Sequence, residues 1–176
     1  FVRYIEQLEQ YDVDFGEASI ADEQSDTVRI MSIHKSKGLE FPIVFVCGMG
    51  KQFNMQDIRS AMVIHPEWGV GLDCIDLERR TKVPTLLKKI IKHKTKLENL
   101  GEELRVLYVA MTRAKEKLIL TGEIKDTKYL DEKRKLSGEI GLEGKAFPFY
   151  ELYSAKQYMD WLLPAAFMDE SISVRV

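Results

Sequence analysis

Between Ser32 and Glu40 the chain sets Ser32, His34, Lys35, Ser36, Lys37, Gly38 and Glu40 close together, inside the segment VRIMSIHKSKGLEFPIVFV from Val28 to Val46. The lysines can neutralise phosphates, the carboxylate can accept from a sugar hydroxyl, and the imidazole can stack or donate. That mixture suits a nucleotide or nucleic acid better than a metal ion or an acyl group. Gly38 lets backbone approach a phosphate closely. The bland alternative is a solvated basic turn. The position of this turn between two apolar, β-prone runs favours a ligand-binding turn. Glu40 could simply pair with Lys37; its place at the mouth of the following strand favours contact with a ribose hydroxyl.

A second cluster lies in EELRVLYVAMTRAKEKLIL, from Glu102 to Leu120. Leu104, Leu107, Val109 and Met111 form one apolar helical face, and Thr112-Arg113 falls where that helix should end. An arginine at a helix C-terminus is favoured by the macrodipole alone. The alternative is a guanidinium aimed at a γ-phosphate, stabilising charge that builds in a transition state. Spacing does not separate the two.

Two further matches fail. Gly48-Met49-Gly50-Lys51 resembles the tail of a P-loop, but Phe45 stands where the first glycine of GxxxxGK[ST] belongs and Gln52 replaces its Ser or Thr. Asp131-Glu132 resembles a magnesium-binding pair, but no apolar strand precedes it, and a charged helix surface explains it better. Half of a nucleotide site is therefore present, which makes sense if another domain supplies the other half.

The elements that must position these residues read as an α/β pattern with a mostly parallel sheet. Phe1–Tyr11 is a short amphipathic helix, and Asp12–Asp26 an acidic loop. Strands are expected at Thr27–Ile33, Ile43–Cys47, Ala61–Ile64, Gly69–Cys74 and Lys117–Thr121. A long helix runs from Thr85 to about Ala114, with Pro84 placed for its first turn and Gly101 able to kink or divide it. Tyr129–Leu136 is a charged surface helix, Gly138–Pro148 a loop, and Ser154–Phe167 a helix interrupted at Pro164.

The 176 residues suffice for one domain, or for one domain with an appendage, and 45% apolar content supports a core. The formal charge is only −2, so any nucleic-acid binding must come from a local basic patch. Cys47 and Cys74 read as buried, reduced thiols of a cytoplasmic protein. The chain opens on Phe1 within a helical pattern, which suggests a piece of a longer protein.

The first segment resembles motif V of superfamily 1 DNA helicases of the UvrD/PcrA/RecB type, and the second resembles their motif VI, in the right order. GMGKQFN, HPEWGVGLDCIDLERRTKVPTL and YSAKQYMDWLLPAAF are similar to the AddA (RexA) branch of helicase–nucleases. The resemblance implies a RecA-like domain without its own P-loop over residues 25–125, the end of a 2B insertion and linker over 1–24, and an extension towards a nuclease domain over 126–176. It implies that Arg113 contacts the ATP γ-phosphate, Glu40 the ribose and Gly38 the nucleotide, while Ser32, His34 and Lys37 face single-stranded DNA. ATP with Mg²⁺, DNA, a partner of the AddB/RexB type, and the first RecA-like and nuclease domains of the same chain are the implied cofactors and partners. The implied activity is ATP-driven 3′→5′ translocation and unwinding coupled to an exonuclease in double-strand-break repair. A stand-alone repair helicase and a non-catalytic DNA-binding remnant are the competing readings. Alone, these 176 residues should not hydrolyse ATP.

Overall fold

The computed structural model describes residues 27–124, 126–143 and 147–175. The readings of a helix at Phe1–Tyr11 and a loop at Asp12–Asp26 lie outside them. Ser32–Val176 forms one compact unit, and the described residues before Ser32 belong to another.

The centre of the larger unit is a parallel pair, β1 (Phe41–Val46) and β6 (Ala114–Leu120), in the register Ile43↔Lys117 to Val46↔Leu120. The strand expected at Thr27–Ile33 is absent: residues 27–32 have no regular structure and 33–38 form a turn. Among the described residues strands pair only as β1–β6, β2–β3 and β4–β5. β-Propensity at Val28 and Ile30 does not by itself make a strand.

Between β1 and the long helix lie two antiparallel ribbons, β2 (Val63–His65) with β3 (Gly69–Gly71), and β4 (Asp73–Asp76) with β5 (Thr81–Pro84). The single strand expected at Gly69–Cys74 is thus split in two, and β5 had no expectation. In place of one mostly parallel sheet, the described strands form three separate pairs, parallel in β1–β6, which carries the site, and antiparallel in the two ribbons.

Helix α1 spans Leu86–Met111. Its N-cap is Thr85, whose Oγ1 accepts from the Lys88 N–H at 3.3 Å and donates to the Leu72 carbonyl at 2.7 Å. Pro84 therefore ends β5 and does not enter the helix. Lys88 is buried and joins the ribbons to the helix: its ammonium meets Asp73 at 2.7 Å and also donates to the Ala61 carbonyl. The Lys88 hydrogen bond, with Lys82 at 3.1 Å, outweighs burial and holds the Asp73 carboxyl below its usual range. Gly101 does not divide α1, which runs unbroken from Leu86 to Met111, and a Cβ there would meet nothing within 4 Å. Gly101→Ala should therefore stabilise the chain by about 0.5–1 kcal/mol, read as a higher urea midpoint with unchanged slope.

The C-terminal third is α2 (Thr127–Glu143), α3 (Phe149–Ser154) and α4 (Met159–Met168). Helix α2 is longer than expected, taking in part of the predicted loop, and it buries Ser137 and Ile140 as well as presenting charge. Asp131 and Glu132 lie on its exposed side. The expected final helix is broken at Ala155, which is extended, and not at Pro164, which is buried inside α4. These helices close the core: Val46, Met49, Leu100, Leu107 and Ala110 pack with Ala155, Met159, Trp161 and Leu163. Phe53 stands edge-on to Tyr158 at 5.0 Å and lies 5.1 Å from Trp161. Of the apolar face expected at Leu104, Leu107, Val109 and Met111, Leu107 is buried, whereas Leu104 and Met111 remain exposed; further back along α1, Leu100 is buried and Leu86 and Ile90 are exposed. Cys47 and Cys74 are also exposed, against expectation. Cys47 follows the end of β1, and Cys74 sits on a two-stranded ribbon with no layer over that face. No described helix is long and apolar enough to cross a membrane.

Asp160 ties α4 to α2. Its carboxylate accepts from the Tyr129 hydroxyl at 2.8 Å, the Lys133 ammonium at 3.0 Å and the Lys156 N–H at 2.8 Å. Burial alone would raise its pKa, but these bonds overcome that and hold it below the ordinary carboxylate value. A depressed folded pKa contributes stability above the unfolded value, 3.8, and loses it as pH falls through the folded one. Acid unfolding should accordingly steepen below about pH 4. Asp160→Asn should flatten that limb in circular-dichroism melts.

Candidate functional site

The polar turn and the end of α1 meet at the amino ends of the parallel strands. The turn is built by its own side chains. Ser32 Oγ accepts from the Lys35 N–H at 3.3 Å, the buried Ser36 hydroxyl donates to the Ile33 carbonyl at 2.7 Å, and the Leu39 N–H reaches the Ser36 carbonyl at 3.0 Å. Gly38 closes it with φ +85, and a Cβ there would meet nothing within 4 Å. Glycine is needed for its backbone conformation, not for lack of room.

Arg113 fastens this turn to the helix. Its Nε donates to the Val109 carbonyl at 2.9 Å, one terminal nitrogen to the Leu39 carbonyl at 2.8 Å, and the other to Thr112 Oγ1 at 2.9 Å. The Phe41 N–H returns a bond to the Arg113 carbonyl at 2.9 Å. A guanidinium has five N–H donors. Three are engaged here, which leaves one on each terminal nitrogen, the pair that could grip a phosphate bidentately. The two readings of Arg113 are therefore compatible: it braces the helix end and keeps donors to spare.

Glu40 pairs with Lys115 at 3.4 Å, not with Lys37. Both side chains are more than half exposed, so the contact is adjustable and weak. Ser32, His34 and Lys37 occupy the exposed side of the same turn. The fold thus gathers Ser32, His34, Lys37, Gly38 and Glu40 on one turn and bonds that turn to Arg113. Sequence reasoning missed Lys115 and the Leu39 carbonyl. No sequence signal marked them, because the Glu40–Lys115 contact follows from the Phe41↔Ala114 register of the folded strands.

The order of this turn, β1, α1 and β6 is matched by a family model, the UvrD-like helicase C-terminal domain, over residues 7–123. The chain belongs to that family. Known relatives similar to this UvrD-like domain include an ATP-dependent helicase/nuclease protein of Lachnoclostridium phytofermentans, 51% identical across 99% of this chain and 12% of the relative. The proteins of the same description from Ruminiclostridium cellulolyticum and Clostridium novyi are 44% and 46% identical across 94% and 93% of this chain and 13% of each relative. The chain therefore spans about an eighth of the length of these relatives. The identity extends beyond the family match, through α2, α3 and α4.

Proposed function

We propose that this chain is the second RecA-like motor half of an ATP-dependent DNA helicase/nuclease, similar in role to the relatives named above. Residues 25–125 form the motor half, 1–24 the end of an inserted domain and linker, and 126–176 an extension towards a nuclease domain. The observation that carries the reading is the Arg113 bond to Leu39, which makes one mechanical piece of the nucleotide-side arginine and the turn bearing His34.

In this reading ATP lies between this half and a first motor domain, with Mg²⁺ held by that domain. Here the cluster offers one carboxylate, Glu40, and Lys115 already pairs with it. The spare donors of Arg113 meet the γ-phosphate, Glu40 leaves Lys115 for the ribose, and Gly38 lies beside the nucleotide. ATP supplies a γ-phosphate whose charge draws the two halves together, and its loss on hydrolysis releases them. Because Arg113 holds Leu39, closure pulls on the turn, and Ser32, His34 and Lys37 move with it against single-stranded DNA. The resulting activity is 3′→5′ translocation coupled to an exonuclease, with an AddB/RexB-type partner, in the cytoplasm and in double-strand-break repair.

His34→Ala in the intact enzyme tests the coupling. The concentration of single-stranded DNA needed for half-maximal ATPase stimulation should rise roughly tenfold, while DNA-free turnover stays unchanged. An unchanged DNA requirement would remove His34 from the DNA path.

A further inference from the structure

From Leu86 to Leu97 the chain reads LLKKIIKHKTKL, with five lysines, one histidine and no acid, in a protein of net charge −2. Lys88 is spent on Asp73, and Lys94 on Glu98 at 3.4 Å. Among the described residues Lys89, Lys92 and Lys96 have no carboxylate partner. They stand at i, i+3 and i+7, on one face of the first half of α1. Lys96 lies 3.8 Å above the Tyr153 ring, whose hydroxyl is 2.9 Å from His93 Nδ1. Burial, and to a smaller extent the charge of Lys156, pushes the Lys96 pKa down.

Two grooves border this ridge, one lined by Lys89 and the other by Lys92. The first, of about 350 Å³, has an apolar floor of Trp68, Ile90 and Leu97. The second, of about 370 Å³, is polar; Arg59, Lys82 and Lys92 line it, with Asp73 as its one carboxylate. Trp68 is 45% exposed, whereas the other indole, Trp161, is 6% exposed in the core. Trp68 shares its groove with one unpaired lysine, Lys89, and an open indole next to a cationic ridge is the pairing that single strands use: phosphates on the cations, a base on the ring. A duplex keeps its base faces stacked within the helix, and acidic side chains carry no ring to stack on Trp68.

We propose that the first half of α1 and the β2–β3 turn form a second single-strand-binding surface, with phosphates along Lys89, Lys92 and Lys96 and a base stacked on Trp68. It is separate from the turn bearing His34, which lies at the other end of α1.

The test uses the 176-residue chain with a fluorescein-labelled oligo-dT 20-mer, read by anisotropy, and unlabelled oligo-dT, read by tryptophan emission. Oligo-dT should quench the indole, and Trp68→Phe should abolish the quench while circular dichroism stays native. Trp68→Ala should weaken binding about tenfold. Affinity should fall roughly 20-fold between 50 and 200 mM salt, as three phosphate contacts require. Lys89→Gln, Lys92→Gln and Lys96→Gln together should flatten that dependence. His34→Ala with Lys37→Ala should leave the quench intact, so failure of this surface and failure of the motif turn are distinguishable. A quench that persists in Trp68→Phe, or is lost in the His34/Lys37 pair, overturns the proposal. So does equal quenching by a duplex, or polyglutamate binding as tightly as oligo-dT.

Discussion

Arg113→Ala in the intact enzyme should lower DNA-stimulated ATP turnover by about 10³-fold or more, the scale on which arginines that contact a transferring phosphoryl group act. The structure adds a second, smaller effect. Alanine also deletes the bonds to Val109, Leu39 and Thr112, and it leaves the Leu39 carbonyl without its side-chain donor. That should cost about 1–3 kcal/mol of stability. The two losses separate experimentally: denaturant unfolding of the 176-residue chain reads the brace, and turnover at a temperature well below the variant's Tm reads the phosphate contact. Arg113→Lys sharpens the division. Lysine keeps the charge but not the planar fork, so it can neither reproduce the three-point brace nor offer a bidentate grip on a phosphate. Near-normal turnover in Arg113→Ala would reduce Arg113 to a helix-end brace and remove it from the ATP site.

Gly50→Ala should be the most damaging small substitution. A Cβ on Gly50 would fall 2.1 Å from the Glu123 carbonyl oxygen, backbone against backbone, with no flexible side chain to yield. Gly122 faces it from the other side, its own Cβ position 2.7 Å from the Gly50 nitrogen and 2.6 Å from Met159 Cε. This close approach is where three segments are laced: Met49 N–H to the Thr121 carbonyl at 3.0 Å, Thr121 N–H to Val46 at 2.9 Å, and Met159 N–H to the Met49 carbonyl at 3.1 Å. Separating them unseats α4 from the parallel strands. A loss of about 3 kcal/mol or more is expected, a Tm drop of roughly 6–12 °C for a chain of this size. Gly38→Ala provides the contrast. It has open space and only an unfavourable φ, so about 1 kcal/mol is expected. Equal effects at the two glycines in a urea titration would contradict this account.

The sequence was informative where a residue's partner lies within its own element or the next one. The strand after the polar turn, the long helix and the strand after Arg113 all lie within a few residues of their expected places. It was uninformative where a partner comes from far along the chain. Thr27–Ile33 has strand composition but no described strand to bond to. Pro84 and Thr85 both suit a helix start, and the Leu72 carbonyl decides between them by engaging Thr85. The tail is apolar enough to pack anywhere; the Met159 bond to Met49 places it on the strand pair. At the site, residue types foretold which side chains gather, but not that Glu40 would meet Lys115 instead of Lys37, since strand register sets that choice. Arg113 presented two explanations because its brace engages three of its five N–H donors and leaves two for the proposed phosphate contact.

Helix α1 passes through Gly101 without a break, so Lys89 and Arg113 sit near opposite ends of one rod about 36 Å apart. A rod of that length is a lever. A tilt of about 5° at the arginine end carries Lys89 through about 3 Å, close to the ~3.4 Å that separates successive nucleotides along a strand. In the proposed reading, with single-stranded DNA held at Lys89, a movement of that size advances the grip by about one base.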